Sequence, residues 1–177
     1  MNNTKIYCKK IYDFFTTDKR SAILWLLLRI YVGYEWLIAG WDKLFIKHTL
    51  IWNTAWAGID AGGPIKGFLM GAMAKAYITG EHHDVSMWYA WFINHVAIPN
   101  ACLFANIVTF GEILVGLGLI LGLFTRAAAT FGAFMNFNYL FAGTVSTNPW
   151  LLLLQIFILC GRKVAGWIGL DRFRKQA

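Results

Sequence analysis

Between Ala101 and Phe124 every residue except Asn106, Thr109 and Glu112 is apolar or glycine. A second, mostly apolar run, Ala127 to Val145, begins directly after Thr125-Arg126. About 20 residues at about 1.5 Å rise cross the hydrocarbon core of a bilayer, so each run is long enough to span it as a helix. The pattern predicts a membrane hairpin with almost no loop, with spans at about 101–124 and 127–146. A third apolar run predicts a first span over about 21–45, with Asp18 placed to cap it. A fourth, shorter core from Trp150 to Gly161 follows the Thr147-Asn148-Pro149 turn. It reaches span length, about 150–168, if Val164 to Ile168 continue it while Lys163 snorkels to the interface.

The long connection, 47–97, is not structureless. Ile65, Phe68, Leu69, Ala72, Met73, Ala76 and Tyr77 recur three and four apart between Pro64 and Thr79, which predicts an amphipathic helix started by proline. Val85 to Val96 predicts another, with Asp84 as its cap and Pro99 beyond its end. Thr4 to Phe15 sets apolar residues among Lys5, Lys9 and Lys10, as a helix on an anionic membrane surface does. The expected fold is all-α: one integral membrane domain, 1–177, built as a bundle of four transmembrane helices with amphipathic surface helices in a long external loop. The first apolar run exceeds a signal-peptide core and lacks a small-residue cleavage site, so it is expected to be retained.

Composition agrees, with 58% hydrophobic residues and a mean hydropathy of +0.52, too apolar for an ordinary soluble domain. The net charge of +7 does not point to nucleic acid, because the cations do not gather on one polar face. Lys5, Lys9, Lys10, Lys19 and Arg20 precede the first span, and Arg162, Lys163, Arg172, Arg174 and Lys175 follow the last. The positive-inside bias then places both termini in the cytoplasm of a multi-pass cell-membrane protein and loop 47–97 outside. Trp41, Trp52, Trp56, Trp88, Trp91 and Trp150 map to the outer edge, as an aromatic belt does.

Polar residues inside the spans carry the candidate chemistry. On the first span, helical periodicity sorts Trp25, Arg29, Gly33, Trp36, Gly40 and Lys43 onto one stripe, and Tyr31, Glu35, Ala39 and Asp42 onto another. Packing on two neighbours keeps both stripes off lipid. Glu112 on the second span is the expected partner of the deep Arg29, since a central charge costs about 3 kcal/mol even on lenient scales. Asn136 shares a stripe with Gly132, Tyr139 and Gly143, and glycines there let helices close on a polar group. Arg29, Glu112 and Asn136 thus form either a structural clasp or part of a ligand site. Quinone suits the second reading, because its reduction develops negative charge on carbonyl oxygens and consumes protons.

Glu112 and Glu35 are the expected proton-handling groups, Arg29 the charge stabiliser and Asn136 a donor to a carbonyl. Trp36, Asp42 and Tyr139 are expected around them, and Lys43 with His95 nearer the outside to meet an anion. The run Glu81-His82-His83-Asp84 reads as a solvated turn in preference to a metal site. Without a C-x-x-C pair, Cys8, Cys102 and Cys160 read as small buried hydrophobes. No flavin, haem or iron–sulfur motif is present, so no metal or flavin is expected.

Together, RIYVGYEWLIAGWDKL in the first span, Gly111-Glu112, Thr125-Arg126, Met135 to Tyr139, Asn148-Pro149 and the final GLDR resemble the DoxX/DoxD family of small four-helix membrane proteins. The nearer likeness is to the DoxD branch, the membrane subunit of thiosulfate:quinone oxidoreductase. That resemblance implies oxidation of thiosulfate or a related small sulfur compound, with quinone as electron acceptor. It also implies a second redox subunit, which the short tail after Arg172 is not expected to supply, and leaves a homo-oligomer open. The competing expectation is a non-catalytic scaffold subunit of a redox or oxidative-stress complex.

Overall fold

The computed structural model describes residues 3–46, 49–77, 83–161 and 163–174. Among them the regular structure is helical, with no strand and an isolated antiparallel bridge between Phe45 and Trp52. Helix α1 (Asn3–Thr16) leads through a short 3-10 turn to α2 (Ala22–Leu44). Asp18 caps that turn, its Oδ1 accepting from the Arg20 N–H at 2.9 Å. After loop 45–62 come α3 (Gly63–Ala76), α4 (Met87–Phe92, prolonged by a π turn over Ile93–Ala97) and α5 (Ala101–Leu121). Then follow α6 (Thr125–Phe141), α7 (Asn148–Cys160), a 3-10 turn over Val164–Gly166, and α8 (Asp171–Arg174).

Two of these helices are long and apolar enough to cross a membrane: α2 with its leading turn, Lys19–Leu44, and α5, Ala101–Leu121. The last two long helices are shorter than the predicted spans 127–146 and 150–168. Helix α6 stops at Phe141, before Gly143 at φ +71° turns the chain. Helix α7 begins at Asn148, earlier than expected, because Pro149 falls in its first turn, where proline lacks only an N–H that has no helical partner anyway. Ser86, and not Asp84, precedes α4 as its N-cap.

The closest packing joins α2 to α5. A Cβ on Gly116 would stand 2.7 Å from the Leu37 nitrogen, one on Gly33 2.9 Å from the Gly116 carbonyl, and one on Gly40 2.9 Å from the Ile113 nitrogen. Missing side chains at these positions let two helix backbones nearly touch. Helix α5 also packs on α6, α6 on α7, and α7 returns to α2, with Trp25, Val32, Leu119, Ala129, Leu154 and Ile158 buried between them. A second core, including Ile65, Leu69, Val85, Tyr89, Ile93 and Ala105, seats α3 and α4 on the first half of α5.

The outward faces are apolar: Leu24, Leu27 and Ile38 on α2, Leu103 and Leu114 on α5, Phe131 and Phe137 on α6 and Ile156 on α7 are all exposed. A soluble protein does not present so continuous an apolar surface. The stripe of α2 that carries Trp25, Arg29, Gly33, Trp36 and Gly40 is buried as expected. The other stripe is not enclosed by a second neighbour: Glu35 and Ala39 are half-buried, while Tyr31 and Asp42 are exposed.

The α2–α5 contact yields the first prediction. Gly116→Val must push the two backbones apart and is expected to cost about 1–3 kcal/mol, read as a lower unfolding temperature in detergent. Gly67→Ala, at a position of α3 with nothing within 4 Å of a new Cβ, is expected to leave that temperature unchanged or raise it.

Candidate functional site

A cavity of about 390 Å³ lies where α2, α5 and α6 meet α3 and the start of α7. Its polar centre is Glu112, which is 1% exposed. Lys43 Nζ donates to Glu112 Oε2 at 2.7 Å, and Tyr139 Oη donates to Glu112 Oε1 at 2.7 Å. One carboxylate therefore joins three helices. Gly40 makes this possible, since a Cβ there would stand 3.1 Å from that of Glu112.

Each partner is held by further contacts. The Lys43 ammonium also donates to the Ala39 carbonyl at 3.2 Å and lies 5.4 Å from the Trp56 ring centre, an attractive placement for a cation. The Tyr139 ring stacks on Trp36 at 6.5 Å and meets the Phe68 ring edge-on at 6.2 Å. Thr109 Oγ1 donates to the Trp56 carbonyl at 3.2 Å. The Asn106 side chain bonds both the N–H and the carbonyl of Gly58 at 3.0 Å, pinning the loop that carries Trp56. The mouth is polar, with Thr144, Ser146, Thr147 and Asn148 on one side.

Of the predicted site residues, the structure brings together Glu112, Glu35, Trp36, Lys43 and Tyr139 around this cavity. It does not bring Arg29 there. The expected Arg29–Glu112 pair does not form, because α2 and α5 pack with Gly33 opposite Gly116 and Ile120, and Gly40 opposite Glu112 and Ile113. Arg29 precedes Gly40 by three helical turns, about 16 Å along the axis. It faces instead the turn between α5 and α6, donating from Nη1 to Thr125 Oγ1 at 3.3 Å and from Nη2 to the Ile168 carbonyl.

Asp171 completes that clasp. Its two oxygens accept from the Phe124 and Thr125 N–H groups, each at 2.9 Å, and its charge acts on Arg29. Gly122 and Gly169 pass so closely that a Cβ on Gly169 would stand 2.8 Å from the Gly122 Cα. Asn136 is likewise absent from the cavity: it is fully buried and donates to Gln155 Oε1 at 2.7 Å, so it joins α6 to α7. Asp42 is exposed. His95 is exposed too, its Nδ1 2.9 Å from the Trp91 carbonyl and its ring stacked on Trp91 at 5.0 Å, so it does not join Lys43.

Gln155 and Asp171 are the residues that sequence reasoning passed over. A lone amide in the apolar run of α7 was the available signal for the first; the second lay in GLDR, read for its family resemblance and without a partner assigned to its carboxylate. Of the histidines, His48 and His82 lie outside the described residues, as does Glu81, so the Glu81 to Asp84 run is described only in part. The cysteines are not the buried hydrophobes expected. Cys8 and Cys160 are exposed and Cys102 is half-buried, its thiol 3.4 Å from the Ile59 carbonyl.

Residues 24–144 match the DoxX family. The chain belongs to that family. No curated protein and no solved structure matches it. DoxX is a membrane family, which accounts for the apolar outer faces of α2 and α5. The matched stretch of this DoxX chain carries Glu35, Trp36, Lys43, Glu112 and Tyr139, the whole polar centre of the cavity, whereas the mouth residues after Thr144, and Ile168 and Asp171 of the clasp, lie beyond it.

The ion pair generates a double-mutant prediction. Lys43→Met leaves the Glu112 carboxylate uncompensated and is expected to cost about 2 kcal/mol, the part-exposed lysine keeping the loss below that of a fully buried pair. Adding Glu112→Gln to Lys43→Met should recover at least half of the loss. Unfolding temperatures of the single and double variants in one detergent measure it.

Proposed function

We propose that this DoxX chain is a four-span, quinone-linked redox protein whose head-group site is the Lys43–Glu112–Tyr139 cavity. The carrying observation is one buried carboxylate accepting from both an ammonium and a phenol on the wall of a cavity lined by aromatic rings. In this reading α2, α5, α6 and α7 cross the membrane, both termini are cytoplasmic, and α3 and α4 cover the outer mouth. The shortness of α6 and α7 is accommodated by thinning or by snorkelling of flanking residues.

The donor set fits a quinone. Lys43 and Tyr139 supply hydrogen-bond donors, Trp36 and Phe68 supply faces and edges for a planar ring, and the buried indole N–H of Trp36 has no partner among the described residues. A bound quinone supplies two-electron chemistry, taking up two electrons and two protons at its carbonyl oxygens. Lys43 and Tyr139 would turn toward the oxygen on which charge develops, stabilising it as preorganised donors do. Glu112 would return a proton to Tyr139, and Glu35, half-buried on the same cavity, would pass protons from the polar mouth.

The resemblance to DoxD supplies the electron donor: two thiosulfate ions lose one electron each and join through a new S–S bond as tetrathionate. Glu35 and Glu112 set two carboxylates against one Lys43, so the cavity repels a dianion. The sulfur compound is therefore assigned to the outer surface or to a second redox subunit, and the quinone to this chain. Arg29 and Asn136 hold helices together and take no part in the chemistry.

Mass spectrometry of molecules retained after gentle purification from the native membrane tests the reading. Wild-type protein is expected to keep quinone, with Tyr139→Phe and Glu112→Gln folded and retaining about tenfold less, the effect of one lost hydrogen bond of about 1.4 kcal/mol. Protein that keeps no quinone, even with excess supplied, would overturn the proposal in favour of a scaffold subunit.

A further inference from the structure

Beside the polar cavity lies a second one of about 170 Å³, lined by α3, α4, α5 and α6. The two share Ile65, Phe68, Val108 and Tyr139 as a common wall. Their chemistry is opposite. The second is lined by Leu69, Phe92, Phe104, Ile107, Phe134 and Met135 among others, and the polar side chains at its edge already satisfy one another. Tyr89 Oη donates to Asn138 Oδ1 at 3.1 Å, and Asn138 Nδ2 donates to the Phe134 carbonyl at 2.8 Å. Burial pushes the Tyr89 hydroxyl up to about 12, so it remains a neutral donor committed to Asn138.

Such a groove offers no free hydrogen-bonding group with which to select a polar ligand, whereas a hydrocarbon chain needs none. Its rim lies on the apolar outer surface: Ile107 of α5 is 54% exposed and Phe134 of α6 65%. The groove therefore opens sideways, where the outer faces of α5 and α6 meet lipid. Its floor is closed by residues buried in the α3–α4 core, including Leu69, Tyr89 and Ala97.

We infer that the acceptor is a long-chain quinone whose head occupies the polar cavity and whose isoprenoid tail runs over the Phe68–Tyr139 wall into this apolar groove, leaving between α5 and α6. The inference rests on the quinone reading and adds the class of quinone and its route. The two compartments adjoin across the single Phe68–Tyr139 wall, which favours one amphiphilic occupant over two unrelated ones, and the lateral rim lets it arrive from the bilayer. Phe68, on α3, and Tyr139, on α6, then serve as positioning residues at the junction of head and tail.

Photo-crosslinking in nanodiscs tests this with two probes, a quinone carrying a diazirine on its head and one carrying it at the end of its tail. The head probe is expected to label peptides containing Trp36, Phe68 or Tyr139, and the tail probe those containing Phe104, Ile107 or Phe134. Excess unlabelled long-chain quinone should compete with both. Ile107→Trp narrows the rim at an exposed position without touching Lys43 or Glu112. It is expected to abolish competed tail labelling and weaken long-chain binding about tenfold, while a short-chain quinone with the same head binds within about twofold of wild type.

Head labelling without tail labelling in the groove would overturn the inference and leave the quinone reading standing. Tail labelling that quinone fails to compete marks ordinary lipid contact and overturns it as well. Loss of specific labelling by both probes would remove the quinone reading itself.

Discussion

The pair of 2.7 Å bonds that Lys43 and Tyr139 make to Glu112 is the interaction on which the rest depends. A carboxylate in the middle of an apolar helix is costly unless a cation and hydrogen-bond donors meet it. Meeting that need brings α2, α5 and α6 to one point. It also gathers an ammonium, a phenol and a carboxylate on the wall of one cavity, where the proposed ligand would meet two donors able to turn toward its oxygens. Stabilisation of the fold and the proposed recognition of a ligand thus use the same atoms.

The other deep charge is kept apart from this one. Arg29 and Asp171 tie the turn between α5 and α6 to the segment that follows α7, through Thr125, the Ile168 carbonyl and two backbone N–H groups. Every partner there is an internal one, and α2 carries the two polar centres at different depths. The separation has a consequence for chemistry: the clasp can hold the helices in register while the cavity retains groups free to turn. Asn136 with Gln155 adds a third polar tie between α6 and α7.

Helix α3 walls both compartments, and α4 closes the apolar one. They carry an apolar face onto α5 and bring Phe68 against Tyr139, dividing the interior into a polar and an apolar compartment. The same Tyr139 ring borders both, so a change at this residue is felt in either. That division gives the proposed long-chain acceptor a head site and a tail route in one structure.

Hydrophobic periodicity alone determined that the chain is helical and membrane-embedded, where α2, α3 and α5 run to within a few residues, and that the stripe of α2 carrying Trp25, Arg29, Gly33, Trp36 and Gly40 is buried, but not that its Glu35 stripe stays partly open. Glu112, Lys43, Tyr139, Trp36 and Glu35 were legible as candidates because polar residues within apolar spans demand partners. Their pairing was not. Periodicity reports the angle of a side chain about its own helix and repeats every turn, so it says nothing of how far one helix slides along another. Close packing of Gly33, Gly40 and Gly116 sets that slide, giving Glu112 to Lys43 and leaving Arg29 to Thr125 and Asp171. Tertiary structure alone placed Asp171 and Gln155 as partners, sent Asn136 to α7 and left His95 on the surface. Those contacts join residues distant in the chain, and only the axial register of packed helices brings them within bonding distance.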